Sequence, residues 1–327
     1  MKVLNELRDL IQRDVGNRGL CTDPERNLIN ACPDDFAAAC RSLAEHPKPS
    51  LAVVTGFYIP TANPPAGETD GPLGALFLAR ALMPLGIPVT LVTDDFCMRA
   101  LQAGLTECDL KDQVPLVTLP TPAHVVSGAD CWIEEPKGVP AFSHVLAIER
   151  VGPSHVRDEV PLADRDRCHT MRGRDITDLM SPVHRFFESW EICDEAARSF
   201  GFISDLTTIG IGDGGNEIGM GKIPWEVIDR NIPRGGLVAC RIATQHLIVC
   251  GVSNWGAYAL AAGVAILRGQ KLASPLFDPD TERRILQVMV DAGPLVDGVT
   301  GAPTATVDGL TWEQFADVLV KVNSVFV

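Results

Sequence analysis

The chain is short of positive charge: 28 Lys and Arg stand against 42 Asp and Glu, for a formal net charge of −14. Such a surface offers no basic patch to neutralise phosphates, which excludes nucleic acid and anionic lipid as partners. Metal-type and disulfide-type cysteine spacing is also missing. None of the ten cysteines forms a C-x-x-C pair, so the thiols are expected to be reduced and mostly small core residues. His124, His144, His155, His169, His184 and His246 show no H-x-x-x-H or H-E-x-x-H spacing, and no G-x-S-x-G occurs. A zinc hydrolase and a serine hydrolase therefore lose their sequence support. His155 and His169, the latter beside Cys168, are the two worth testing.

The first twenty residues lack the apolar run of a secretory signal and carry Glu6, Asp9 and Asp14, unlike an acid-poor transit peptide. They predict an amphipathic helix bearing Leu4, Leu7, Leu10 and Ile11, and a cytoplasmic protein. The stretch 247–267 is uncharged and long enough to span a bilayer, but Gly251, Ser253, Asn254 and Gly256 divide it into a strand and a helix. No membrane partner is expected. There is no internal repeat and no low-complexity tract.

What the chain does have is 46% hydrophobic residues over 327 positions, enough for a large core, and a regular alternation of short apolar runs with helical periodicities. Apolar strands are expected to end near Thr55, Thr93, Ile148, Ile211 and Cys250, with helices between them. Asp70 and Pro72 predict the start of one such helix. This alternation predicts an α/β fold: a mostly parallel sheet with helices on both faces and a site at the carboxyl ends of the strands. We treat residues 1–327 as one domain, in which an irregular segment at about 152–180 suits a lid or an oligomer contact.

The most informative stretch is Asp205–Lys222, DLTTIGIGDGGNEIGMGK. Its glycines leave the backbone free to turn sharply, and Asp213, Asn216 and Glu217 punctuate them; a helix starting near Gly215 would place Asn216 and Glu217 in its first turn. Gly210, Gly212 and Gly215 match G-x-G-x-x-G, yet Asp213 inside the loop would repel a pyrophosphate, so no nucleotide cofactor is expected. Gly221-Lys222 fails as a P-loop because Asn216 and Ile223 occupy required positions.

Five strand ends carry polar signatures: Thr55-Gly56, Thr93-Asp94-Asp95, Glu149-Arg150, Gly212–Gly215 and Gly251–Asn254. On parallel strands they share one edge. Together with Glu68 and Asp70, they predict a cleft with several carboxylates, which cannot all stay ionised at low dielectric without a cation or raised pKa values. All-oxygen ligation by Glu68, Asp70, Asp94, Glu149 and Asp213 points to Mg²⁺ or Mn²⁺ rather than zinc.

The combination TGFYIP, GETDGP, AIER, GIGDGGNEIGMGK and GVSNWGAYAL resembles the D-glutamate cyclase family, in its C-terminal cyclase-like domain, from about residue 50 onward. The resemblance implies a lyase that converts D-glutamate to 5-oxo-D-proline with loss of water. On that basis Asp213 or Glu217 is the candidate base, with Asn216 and the N–H groups of Gly214 and Gly215 facing the oxyanion. Arg150 is the candidate for the α-carboxylate, and Thr55, Gly56, Ser253 and Asn254 are candidate substrate contacts. The expected partner is a small anionic substrate, D-glutamate or a relative, and the composition leaves room for a homo-oligomer. Two rivals use the same cleft: a divalent-metal phosphohydrolase and a non-catalytic small-molecule binding protein.

Overall fold

A computed structural model describes residues 2–122, 142–188 and 202–325. Six parallel strands form the central sheet: β1 (Leu51–Thr55), β4 (Val89–Asp94), β5 (Leu116–Leu119), β6 (Phe142–Ile148), β7 (Phe202–Gly212) and β8 (His246–Val249), in the order β5-β4-β1-β6-β7-β8. The expected parallel α/β architecture is what the chain adopts. Side chains alternate across each strand. Leu51 and Val53 of β1 thus join one apolar core with Leu146 and Ile148 of β6 and Ile209 and Ile211 of β7. Ala52, Val54, Val145 and Ala147 face a second core.

The two faces are covered differently. Long helices pack the first: Lys2–Ile11, Asp35–Glu45, Pro72–Leu82, Ser253–Leu267, Pro279–Ala292 and Trp312–Ser324 all contribute residues to its core. Ser253–Leu267 is buried through almost its whole length, because other helices surround it; Tyr258 stacks edge-on against Phe77 at 4.5 Å. This explains its uniform hydrophobicity without a bilayer, and no described helix is long and apolar enough to cross one. Among the described residues, the second face is covered by shorter pieces, including Leu28–Ala31 and Trp225–Asn231.

A second, small sheet lies outside this frame. β2 (Tyr58–Ile59) pairs antiparallel with β3 (Ala66–Glu68), which pairs in parallel with β9 (Leu295–Val296). It draws the loop after β1 together with the segment after residue 296. Asp297 organises that segment, accepting from the backbone N–H groups of Val299 at 3.0 Å, Thr300 at 2.9 Å and Gly309 at 2.9 Å, and from the Thr306 hydroxyl at 2.8 Å.

Two sequence expectations are corrected. The first helix ends at Ile11 rather than Leu20, because Gly16, Asn17 and Gly19 follow and the last two take positive φ. No helix starts at Gly215: Ile218 N–H donates to Arg150 O and Gly152 N–H to Asn216 O, so the loop pairs with the chain beyond β6, and helix resumes only at Trp225. The helix start expected at Asp70 and Pro72 is found, with Pro72 as its first residue, although Asp70 does not cap it. The N-cap of Pro72–Leu82 is Gly71, and the Asp70 carboxylate reaches another helix. The sequence pattern over 182–200 also predicts a helix; Val183–Phe186 is a 3₁₀ turn, and residues 189–200 lie outside the described residues, as does His124.

Candidate active site

In the sheet order, the chain winds outward from β1 toward β5 on one side and from β6 toward β8 on the other, so the crevice between β1 and β6 is the topological switch point where such sheets bind ligands. Thr55-Gly56 ends one strand there and Glu149-Arg150 the other. Asp70-Gly71 fits over the gap. Gly71 has φ +91, and a Cβ on it would lie 2.7 Å from Thr55 Oγ1 and 2.8 Å from Glu149 Cβ, so no side chain is accommodated.

Asp70 is fixed by the helix Ser253–Leu267, whose first N–H groups, Ser253 and Asn254, each donate to it at 2.8 Å. Asn254 returns the arrangement: its Oδ1 accepts from Gly71 N–H at 3.0 Å and Gly74 N–H at 2.7 Å, at the start of Pro72–Leu82. The Ser253 hydroxyl donates to Glu149 at 2.6 Å. Ser253 and Asn254 are therefore engaged in holding Asp70 and Glu149. Glu149 itself has φ +44, a left-handed conformation that costs a non-glycine residue roughly 1–2 kcal/mol and that collects at functional sites.

Asp213 follows β7. Oxygens of Asp70, Glu149 and Asp213 lie within 4.8 Å of one another, all buried, and this trio can hold a metal ion. Asp213 Oδ2 is buried with no hydrogen-bond partner, as are Glu68 Oε1, Asp308 Oδ2 and Asn216 Oδ1. All four are acceptors awaiting a donor or a cation, so the set suits a hard divalent ion or an ammonium group. Arg18 ion-pairs with Asp213 and Asp308.

Among the described residues, six carboxyl groups thus meet one guanidinium: Glu68, Asp70, Glu149, Asp213, Glu217 and Asp308 around Arg18. Burial, reinforced by neighbouring acids, pushes Glu68 and Glu149 well above the usual carboxylate range. Burial raises Asp213 likewise, with Arg18 opposing. Asp70 is raised to about 8, by burial first and then Asp308, against the pull of the two helix N–H groups. Burial would lower Arg18, but the facing Asp213, Asp308, Glu149 and Asp70 outweigh it and its pKa rises.

This cluster borders a cavity of about 280 Å³. Glu68, Glu149, Asp308 and Arg18 supply its acidic side, Phe57, Ile59 and Val299 its apolar walls, and Arg172 and Arg174 line it as well. Gly298 allows the approach of Glu68, since a Cβ there would meet its Oε2 at 2.1 Å. The irregular segment at about 152–180 thus contributes to the cavity wall.

Not every expected residue arrives there. Asp94 and Arg150 are buried against each other: Arg150 also donates to Gly56 O at 2.9 Å and Ser181 O at 2.8 Å, and Asp94 accepts from Ser181 N–H at 3.0 Å. Neither belongs to the metal-capable trio, and Arg150 does not line the cavity. Glu217 turns back to accept from Gly215 N–H at 2.7 Å and Asp213 N–H at 3.2 Å. The N–H groups of Asp213 and Gly215 are thereby engaged within the loop rather than aimed at a ligand. Gly215 faces Ile228 and Ile232, Gly214 lies against Glu217 and Met171, and Asn216 donates to His169 O at 2.8 Å.

Sequence reasoning missed Arg18, Asp308 and Asp297. Arg18 was hidden in an overextended helix; its loop is wound on Asp14, which accepts from Arg18 N–H at 2.8 Å and from Gly19 and Leu20 N–H at 3.0 Å each. The Gly-Asn-Arg-Gly run was the available signal. Asp308-Gly309 is a turn-type pair, but nothing local tells that the turn lies over the sheet edge.

A parallel α/β protein with a carboxylate-lined pocket at its switch point is the class that fold and site define. The chain belongs to the D-glutamate cyclase-like, C-terminal family, whose model matches residues 7–323. Human "D-glutamate cyclase, mitochondrial" is 32% identical to it over 268 residues, which make up 81% of this chain and 39% of the human protein. The matched part is thus well under half the length of that relative.

Proposed function

We propose that this chain is a lyase that cyclises D-glutamate to 5-oxo-D-proline and releases water. Family membership supports the substrate, and one observation carries the chemistry: buried, partnerless acceptor oxygens of Glu68 and Asp308 on a cavity sized for an amino acid, with that of Asp213 behind the lining residue Arg18. An ammonium group satisfies such acceptors. Burial raises Asp213 as it does the other acids, but Arg18 is ion-paired to it and is the strongest influence favouring its carboxylate form, so Asp213 is the group we assign to take a proton from the α-ammonium and leave a neutral amine. The nitrogen attacks the γ-carboxyl carbon of the same molecule, so the C–N bond forms within a substrate held curled. The departing γ-carboxylate oxygen needs two protons to leave as water: Glu68, which burial and its acidic neighbours bias toward the protonated form, supplies one, and Asp213 returns the one it took from the ammonium. The second proton lost by nitrogen restores the acid. Glu217 positions Asp213 through its N–H rather than touching substrate.

Asp70, Glu149 and Asp213 are an all-oxygen set that fits Mg²⁺ or Mn²⁺, which would polarise the γ-carboxyl when bound. The test is direct: purified protein is incubated with D-glutamate, L-glutamate and a generic phosphate ester, each with EDTA or with Mn²⁺. Formation of 5-oxoproline from D-glutamate is the expected result. Phosphate release only with metal, or binding of D-glutamate without product, would overturn it in favour of a phosphohydrolase or a binding protein.

A further inference from the structure

The cavity is electrostatically two-sided. Its inner side is acidic, as described, and Arg18, the one guanidinium there among the described residues, is already clamped between Asp213 and Asp308. Arg172 and Arg174 also line it, both largely exposed, and among the described residues neither has an acidic partner. Their recorded hydrogen bonds go to backbone carbonyls on the opposite walls: Arg172 donates to Val299 O at 3.0 Å and Arg174 to Pro60 O at 3.4 Å. Arg234 donates to Arg172 O at 2.6 Å, which steadies the turn that carries both. A guanidinium has five N–H donors, so most of theirs remain for a ligand.

We propose that Arg172 and Arg174 are the seat of the substrate α-carboxylate and set the preference for an acidic amino acid that carries a free α-carboxylate. The inference rests on the cyclase reading. In the ring that forms, nitrogen and the γ-carbon must meet, and both belong at the proton-exchanging acids. The α-carboxylate is the one charged group left outside the ring. The acid-rich side of the cavity disfavours it, and among the described lining residues Arg172 and Arg174 are the cations without an acidic partner. Planar guanidinium groups bind carboxylates through paired hydrogen bonds, which also orients the α-carbon and hence the nitrogen. Phe57, Ile59 and Val299 pack the methylenes between the two charged ends.

The test compares D-glutamate with its α-amide, which keeps the amine and the γ-carboxyl but lacks the α-carboxylate. Steady-state kinetics are measured for wild type, Arg172→Gln, Arg174→Gln and the double variant, with Arg99→Gln, an exposed arginine away from the cavity, as control. The double variant is expected to raise KM for D-glutamate by about 10- to 100-fold with kcat changed much less, as loss of charge-assisted hydrogen bonds predicts. KM for the α-amide should not respond. A merely structural role would move both substrates together, and that result, or an unchanged KM for D-glutamate, overturns the proposal while the cyclase reading stands. If wild type turns over neither compound, the cyclase reading falls, and calorimetric titration with D-glutamate decides the arginines alone: an affinity at least about tenfold weaker in the double variant supports them, and equal affinity or no binding by wild type overturns them.

Discussion

Two buried ionic groups lie along the same sheet edge and have opposite character. Asp94 and Arg150 are matched one to one, they bind Gly56, Ser181 and each other with Arg150 Nε alone left over, and neither lines the cavity described above. The Arg18 cluster has one cation for six acids, leaves oxygens of Asp213, Glu68 and Asp308 without donors, and opens on a pocket. Both look alike as sequence, an acid or a base just past an apolar strand. What separates a framework pair from a reactive group is the charge balance and whether acceptor oxygens are left without donors beside a pocket.

That contrast can be broken experimentally, beginning with the largest expected effect. Arg150→Met should leave Asp94 as an uncompensated buried charge and cost about 3–5 kcal/mol of stability, read from urea unfolding; a loss under about 1 kcal/mol would mean the pair is not structural. Asp213→Asn should do the reverse. It removes a charge from an overcrowded cluster, so stability should hold or rise, while turnover of D-glutamate falls by on the order of a hundredfold or more. Near-normal turnover would take Asp213 out of the proton path.

The smallest effect concerns pH. In the folded chain Asp70 is raised from 3.8 to about 8, so between those values the folded state binds more protons than the unfolded one. Stability is then greatest near pH 4 on this account and declines as pH rises toward 8, with Glu68, Glu149 and Asp213 acting in the same direction. Tm of the metal-free protein, followed from pH 5 to 8, should fall by several degrees, and Mn²⁺ should recover part of the loss at the upper end. A Tm that rises across that window would contradict the raised values.

The parallel sheet was legible because its strands are buried on both faces, and such strands are continuous apolar runs: Leu51–Val54 and Ile209–Ile211 announce themselves. The strand ends were legible for the same reason, and with them Asp70, Glu149 and Asp213. Partnership was not. Whether Arg150 serves a ligand or Asp94 depends on which loop folds over β4, and whether Glu217 opens a helix or turns back on Gly215 depends on pairing with residues some seventy positions away. Arg18 and Asp308 reach the site from opposite ends of the chain, through loops wound on Asp14 and Asp297 whose own spacing says nothing of the destination.

The exchange between Asp70 and Asn254 has a mechanical meaning. Each helix start is completed by a side chain from just outside or within the other, so neither can unwind its first turn without stripping the other of its terminus. The two helices are interlocked like a dovetail at the very point where the pocket is anchored. Substrate therefore meets a jaw of fixed gape, and whatever adjustment binding demands must come from the walls that lack such a joint.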